Sequence, residues 1–212
     1  MLHFRQIFSK VFLVSPLSLF FAIYVKFFFI LSPFFVLSVF LSLTKEMSRP
    51  AMGKLALRTT VAILIASFVL FFFGEGIFKV LGITIDSFRI GAGALLFLSA
   101  VSLIQDKKIM IGDEVGDPAV VPLAIPVTVG PATTGMLLVM GAETKELVEM
   151  VVSLSALFGA VVSTGILLYL GSYLEQLIGK IGISILTKLT GLFLAALSAE
   201  IIFTGVKNSL TL

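Results

Sequence analysis

The chain has 212 residues, of which 58% are hydrophobic and 13% are charged, with a mean hydropathy of +1.17. This composition excludes an ordinary soluble domain and predicts a multi-pass α-helical membrane protein, because the apolar runs are continuous rather than alternating as in a β-barrel. The absence of cysteine excludes disulfides and thiolate metal sites, and the net charge of +3 gives no reason to expect a nucleic-acid partner.

Six apolar stretches are long enough to cross a bilayer, which takes about 20 residues of helix. They cover residues 19–43, 57–77, 88–105, 119–142, 150–171 and 186–206. Residues 1–18 form an N-terminal lead-in without a small-x-small cleavage pattern, so we expect them to be retained. One straight helix over 4–43 would be about 60 Å long, twice the hydrocarbon thickness, so we expect a break near Pro16 or Pro33.

The two halves of the chain align with each other at an offset of about 98 to 100 residues, which places Pro33 over Pro131 and Gly82 over Gly182. Repeat one covers 19–105, residues 106–118 connect, and repeat two covers 119–206. Three spans per half is an odd number, so the second half enters the membrane from the opposite side. The predicted fold is a single all-α integral membrane domain over 1–212, with six transmembrane helices in two inverted three-helix repeats and a discontinuous first helix in each half.

Each discontinuity creates a half-helix that begins inside the membrane, at Pro33 and at Pro131. A proline at the first helical position loses no hydrogen bond, and Ser32 and Gly130 are suitable residues to cap these starts. The free N–H groups and positive dipole ends attract a carboxylate or another anion. The candidate substrate-binding residues are Ser32, Pro33, Ser38, Pro126, Gly130, Pro131, Ala132, Thr133 and Thr134.

Three features near the membrane boundary carry further hypotheses. Glu200 is a carboxylate inside the last span and is a candidate for coupling to H⁺ or Na⁺; the alternative is pairing with Lys207. Asp86 and Arg89 have the spacing of a helical ion pair. Arg89 is also a candidate gating residue, as are Gly91 and Gly93, whose alternative role is close helix packing. We predict neither a cofactor nor a metal site.

Basic residues predict the orientation of the chain. Lys45, Arg49, Lys54 and Arg58 cluster around the first connector. Because positive loops stay in the cytoplasm, both termini are expected on the outer, periplasmic side.

Residues 121–143, VPLAIPVTVGPATTGMLLVMGAE, resemble the second signature of the MarC family of bacterial inner-membrane proteins, and residues 82–104 are similar to the third span of that family. Residues 32–44, SPFFVLSVFLSLT, resemble the first signature but depart from it at Ser32, Phe35, Val36 and Ser38. The resemblance implies a location in the bacterial inner membrane. It also implies a possible function, since a related member is described as a transporter of glycine, alanine and other small neutral amino acids. Phe35 would narrow the first half of such a site.

Together these features favour a secondary transporter of small neutral amino acids or similar zwitterionic or anionic solutes, working by alternating access with the bilayer and the solute as its partners. An aquaporin-like channel and a non-transporting membrane scaffold are the alternatives. The sequence does not determine the oligomeric state. An enzyme is not expected, because the sequence has no histidine within a span and no H-E-x-x-H run.

Overall fold

The computed structural model describes residues 16–105 and 119–210, so most of the predicted lead-in and the whole predicted connector, 106–118, lie outside the described residues. Within these ranges the chain forms seven α-helices and one broken helical segment, with no β-strand. The helices are α1 (Pro16–Ile30), α2 (Pro33–Leu43), α3 (Arg49–Leu81), α4 (Ile85–Ile104), α5 (Pro131–Glu143), α6 (Leu147–Tyr169) and α7 (Gly171–Leu210), and the broken segment is Ala119–Thr128.

Five helical stretches in the described residues are long and apolar enough to cross a membrane: Leu17–Leu43, Arg49–Phe73, Ile85–Ile104, Leu147–Tyr169 and Gly171–Leu210. The prediction of an all-helical, multi-pass membrane protein is confirmed. Large apolar side chains on the outer faces, such as Leu57, Ile65 and Leu98, are about 60% or more exposed and are suited to contact lipid. The predicted span 119–142 is not among the five, because its helix is interrupted.

The first predicted break lies between α1 and α2. Ser32 adopts φ 49° and ψ 52°, the one positive φ outside glycine in the described chain. Its N–H donates to the carbonyl of Phe29 and its own carbonyl accepts from the N–H of Phe35. The expectation that the Ser32 side chain caps α2 is wrong, since it makes no capping hydrogen bond. The left-handed backbone, which costs a non-glycine residue about 1–3 kcal/mol, turns the chain instead.

The second break follows from three prolines. Val121 and Ile125 are extended, with φ/ψ of −124°/121° and −131°/124°, and each directly precedes a proline. A proline sterically disfavours the helical conformation in the residue before it, so the Ala119–Thr128 segment cannot continue as a regular helix. Gly130 is also extended and holds the capping position before α5, which begins at Pro131 as predicted.

Close helix contacts at glycine join α4 to α7. A Cβ atom on Gly93 would lie 3.2 Å from the carbonyl oxygen of Ser198, and one on Gly191 would lie 3.0 Å from that of Ala100. The partner number on α7 falls as the number on α4 rises, so the two helices are antiparallel. Gly93 therefore serves packing in this structure, and nothing lies within 4 Å of a Cβ atom placed on Gly91.

The bundle has two ends, which we name after residues that mark them. At the Lys45 end, the ends of α2 and α6 and the start of α3 share a core cluster that includes Leu41, Leu55, Ala119 and Leu168. At the Glu143 end, Phe78 of α3 packs with Leu138, Val139 and Ala142 of α5. The broken segment and α5 together therefore run the same distance through the bundle as α3 does from Leu55 to Phe78.

Candidate functional site

The two helix breaks meet at one cavity of about 360 Å³ half-way along the bundle, which we call the central cavity; its α4 wall includes exposed residues such as Leu98 and Ser102. Its lining comes from three places: the α1–α2 break, the break before α5, and the facing surfaces of α4 and α7. Five of the predicted substrate-binding residues line it, namely Ser32, Gly130, Pro131, Ala132 and Thr133.

The hydroxyl of Thr133 connects the two breaks. Its Oγ1 atom lies 3.0 Å from the carbonyl oxygen of Thr128 and 3.3 Å from that of Ile30, at the end of α1. Both carbonyls belong to residues at which a helical segment ends. Thr133 itself is buried, with 5% of its surface exposed. Because its single hydrogen is donated within the protein, Thr133 can offer a solute only its oxygen lone pairs, which suit an ammonium group.

The start of α5 offers the opposite chemistry. The first N–H groups of a helix have no acceptor within that helix, and the helix dipole adds partial positive charge there. Gly130 and Ala132 are small and leave the backbone approachable from the cavity. A carboxylate or another small anion is therefore suited to this position.

The rest of the cavity wall is mainly apolar. Phe35, Leu96, Leu103 and Leu194 line it, while Ser99 and Ser102 donate their hydroxyls to carbonyls of their own helix, at 3.0 Å each. Phe35 lines the cavity from the α2 side. The arrangement suits a small solute with one charged end and a short apolar part.

Cavity residues from the two halves of the chain correspond in pairs. Ile30 and Thr128, Ser32 and Gly130, Phe35 and Thr133, and Leu96 and Leu194 all line the central cavity, and the members of each pair lie 98 positions apart. The two prolines that begin α2 and α5, Pro33 and Pro131, have the same separation.

Other predicted substrate-binding residues lie elsewhere. Pro33 is buried as the first residue of α2, and the N–H of Thr134 donates to the carbonyl of Gly130. Ser38 is exposed and lines a separate cavity near Lys45 and Glu175. Pro126 belongs to the broken segment, and its side chain lies outside the described part of the chain.

The predicted coupling and gating residues gather at the Glu143 end. Arg89 pairs with Asp86 at 2.8 Å, as the spacing indicated, and also with Glu143 of α5. Glu200 lines a smaller cavity together with Arg89 and Glu143. Lys26 lines this cavity as well, so the structure places two basic and two acidic side chains around one space.

Sequence reasoning missed several residues that the structure adds. Thr128 and Ile30 contribute through their carbonyls, which a side-chain search does not register; their position beside the breaks was the available signal. Glu143 directly follows the predicted span 119–142 and was not singled out. Its contact with Arg89 joins residues 54 positions apart, which no local pattern indicates.

Comparison with known proteins agrees with this architecture. Residues 17–210 match the model of the MarC family, described as integral membrane proteins. The chain is similar to a UPF0056 membrane protein of Aquifex aeolicus, at 30% identity over 85% of this chain and 89% of the relative. It is 31% identical to one from Methanocaldococcus jannaschii, over 85% and 92%. For the UPF0056 membrane protein YhcE of Escherichia coli the values are 30%, 89% and 94%.

No solved structure matches the chain. The family match extends over the broken segment, both proline-led helices and the α4–α7 pair, which together build the central cavity. The chain belongs to the MarC family of integral membrane proteins.

Proposed function

We propose that this protein is a secondary transporter of small neutral amino acids or similar zwitterionic or anionic solutes, which it carries by alternating access. The observation that carries the proposal is the central cavity, where two interrupted helices meet half-way along the bundle. Interrupted helices whose ends face a shared cavity are the binding-site architecture of many secondary transporters, because irregular backbone at membrane depth is tolerated only where it lines a cavity or is buried.

An inverted repeat is part of the proposal. In it, α1 and the broken segment correspond, as do α2 and α5, α3 and α6, and α4 and α7. The helix contacts support this: α1 packs on α6 as the broken segment packs on α3, and α4 packs on α5 as α7 packs on α2. The antiparallel contacts of Gly93 with Ser198 and of Gly191 with Ala100 also correspond at 98 positions. The broken segment with α5 then provides the sixth crossing.

Alternating access is supported by a difference between the two halves. The rings of Phe29 and Phe193 stack with centroids 4.1 Å apart. Their counterparts 98 positions away are Val127 and Leu95, and both of those line the central cavity instead of closing it. We interpret the stack as the closed side of the cavity, toward the Glu143 end, and the path along α4 as the open side, toward the Lys45 end.

The proposed closed side favours the transporter over the alternatives. An aquaporin-like pore would need a continuous path past Phe29 and Phe193. A scaffold would not need a cavity that offers oxygen lone pairs to an ammonium group at one side and helix N–H groups to an anion at the other. Glu200 is the proposed group for coupling to H⁺ or Na⁺, and Arg89 is a proposed gating residue through its pair with Glu143. The proposal retains the predicted plasma-membrane location, with the Lys45 end in the cytoplasm.

The test is transport by the purified protein in liposomes. Uptake of radiolabelled alanine and glycine is measured with and without imposed proton and sodium gradients, and empty liposomes are the control. Accumulation above equilibrium that depends on one gradient would establish coupled transport and identify the ion. Unsaturable downhill flux would favour the channel, and an absence of both flux and ligand-induced stabilisation by small solutes would favour the scaffold.

A further inference from the structure

The smaller cavity at the Glu143 end, of about 170 Å³, carries charges of both signs: Lys26, Arg89, Glu143 and Glu200 line it. We infer that this charged cavity is a second binding station for a zwitterionic solute, with Lys26 facing its carboxylate and Glu200 facing its ammonium group. The inference rests on the proposed transport function for its place on the route, and its binding chemistry can be tested separately.

Arg89 and Glu143 are the paired charges of this cavity. The Arg89 side chain is 9% exposed and lies between Asp86, at 2.8 Å, and Glu143. Asp86 also accepts a hydrogen bond of 3.0 Å from the side chain of Asn208. A buried charge is tolerated when it is paired in this way, and removing a partner is costly. These charges are therefore compensated within the protein and hold α4, α5 and the end of α7 together.

Lys26 and Glu200 are different, because neither forms an ion pair with any residue in the described part of the chain. They belong to α1 and α7, and the cavity that both line lies between these helices. An ammonium group and a carboxylate that face one cavity without contacting each other present two complementary charges to a solute. An amino acid carries both opposite charges on one carbon atom and can satisfy the two side chains together, whereas a simple anion or cation satisfies only one.

The position of the charged cavity puts it next to the central cavity. Ile30 lines both, and it belongs to a buried apolar cluster whose other members include Leu96 of the central cavity and Leu197 of the charged cavity. Lys26 and Glu200 have no charged counterparts in the other half of the chain, since the positions 98 residues away are Ala124 and Ser102. The station therefore selects zwitterions at the Glu143 end, which the transport proposal assigns to the closed side.

Equilibrium binding of radiolabelled alanine to purified protein tests the inference. The background variant is Thr133→Val, which removes the solute-facing hydroxyl of the central cavity, so that the charged cavity is measured alone. Lys26→Gln and Glu200→Gln are each added to this background. Matched controls are Lys145→Gln and Glu149→Gln, which change the same charges at exposed positions of the same end, outside the charged cavity.

We expect saturable alanine binding in Thr133→Val that weakens at least tenfold with either cavity variant and less than twofold with either control. Propionate, which lacks the ammonium group, and ethylamine, which lacks the carboxylate, should each compete at least tenfold more weakly than alanine. Absence of alanine binding in Thr133→Val, or binding that both cavity variants leave intact, would overturn the inference.

The same measurements separate this inference from the transport proposal. If the wild type takes up alanine but Lys26→Gln and Glu200→Gln leave alanine binding unchanged, the second station is refuted and the transport proposal is not. Alanine binding that requires both residues, in a protein that moves no solute across liposomes, would support the station and refute the transporter.

Discussion

Replacing Phe193 by alanine should make the central cavity reachable from the Glu143 end. The Phe29–Phe193 rings are stacked at 4.1 Å with an interplanar angle of 29°. An aromatic pair of this kind contributes about 0.5–1.5 kcal/mol beyond its buried area. If the stack stabilises the closed side, its loss shifts the open–closed equilibrium by about twofold to tenfold, since 1.4 kcal/mol corresponds to a factor of ten.

The assay exploits the absence of cysteine from the chain. Ser32→Cys introduces one thiol at the central cavity, and its rate of reaction with a membrane-impermeant thiol reagent reports access from whichever end faces the medium. In vesicles that expose the Glu143 end, adding Phe193→Ala should raise this rate about twofold to tenfold. The matched control is Phe203→Ala on the same helix, where the side chain is 74% exposed and should leave the rate unchanged.

A rate at the Glu143 end that is the same with and without Phe193→Ala would refute the stack as the closed side. An equal rise in the Phe203→Ala control would show that α7 had loosened generally, and would refute the specific reasoning as well. The Lys45 end provides an internal comparison, because the reagent should reach the thiol from there in the wild-type background.

Three further predictions follow from the same geometry. Gly130→Leu and Thr133→Val should each weaken alanine binding by at least tenfold in a Lys26→Gln background, where the charged cavity does not contribute, while helix content by circular dichroism stays constant; retained affinity in both would refute the central site. Gly191→Ala should lower the free energy of unfolding by about 1–3 kcal/mol by overpacking against α4, whereas Gly91→Ala, with open space around it, should be neutral or stabilising. Equal effects of these two substitutions in denaturant titrations would contradict the packing argument. Glu200→Gln should remove the dependence of liposome uptake on an imposed proton or sodium gradient, and uptake that still follows the gradient would exclude Glu200 as the coupling group.

The sequence alone predicted the membrane class, five of the spans and both helix breaks. These features depend on local physics. An apolar run of sufficient length is favourable in a bilayer whatever surrounds it, and a proline removes a hydrogen bond and constrains its predecessor at whatever depth it lies. The extended conformations of Val121 and Ile125, directly before Pro122 and Pro126, are the clearest case.

Helix lengths were less predictable. Helix α7 begins at Gly171 and is broken at Gly179, whose φ of 67° and ψ of 173° are not helical. Its second part begins directly after this break, before the expected start at residue 186, because polar residues such as Lys180 can continue a helix beyond the apolar run. Hydropathy indicates which residues can lie in lipid. A helix can extend beyond those residues, because its backbone hydrogen bonds do not depend on hydropathy.

Only the tertiary structure decided how the site is assembled. The sequence indicated that Thr133 has a polar role. It did not indicate that the hydroxyl donates to the carbonyls of Thr128 and Ile30, because these hydrogen bonds depend on the two helix breaks lying next to each other. The sequence indicated the pair of Arg89 with Asp86, but not its pair with Glu143, which belongs to another helix. Ser32 likewise turns the chain through its left-handed backbone and makes no side-chain cap, although serine is favoured at capping positions. Composition and periodicity indicate the free energy of placing each segment in a membrane. The contacts between segments depend instead on how whole helices pack against each other. These contacts determine which groups face a solute.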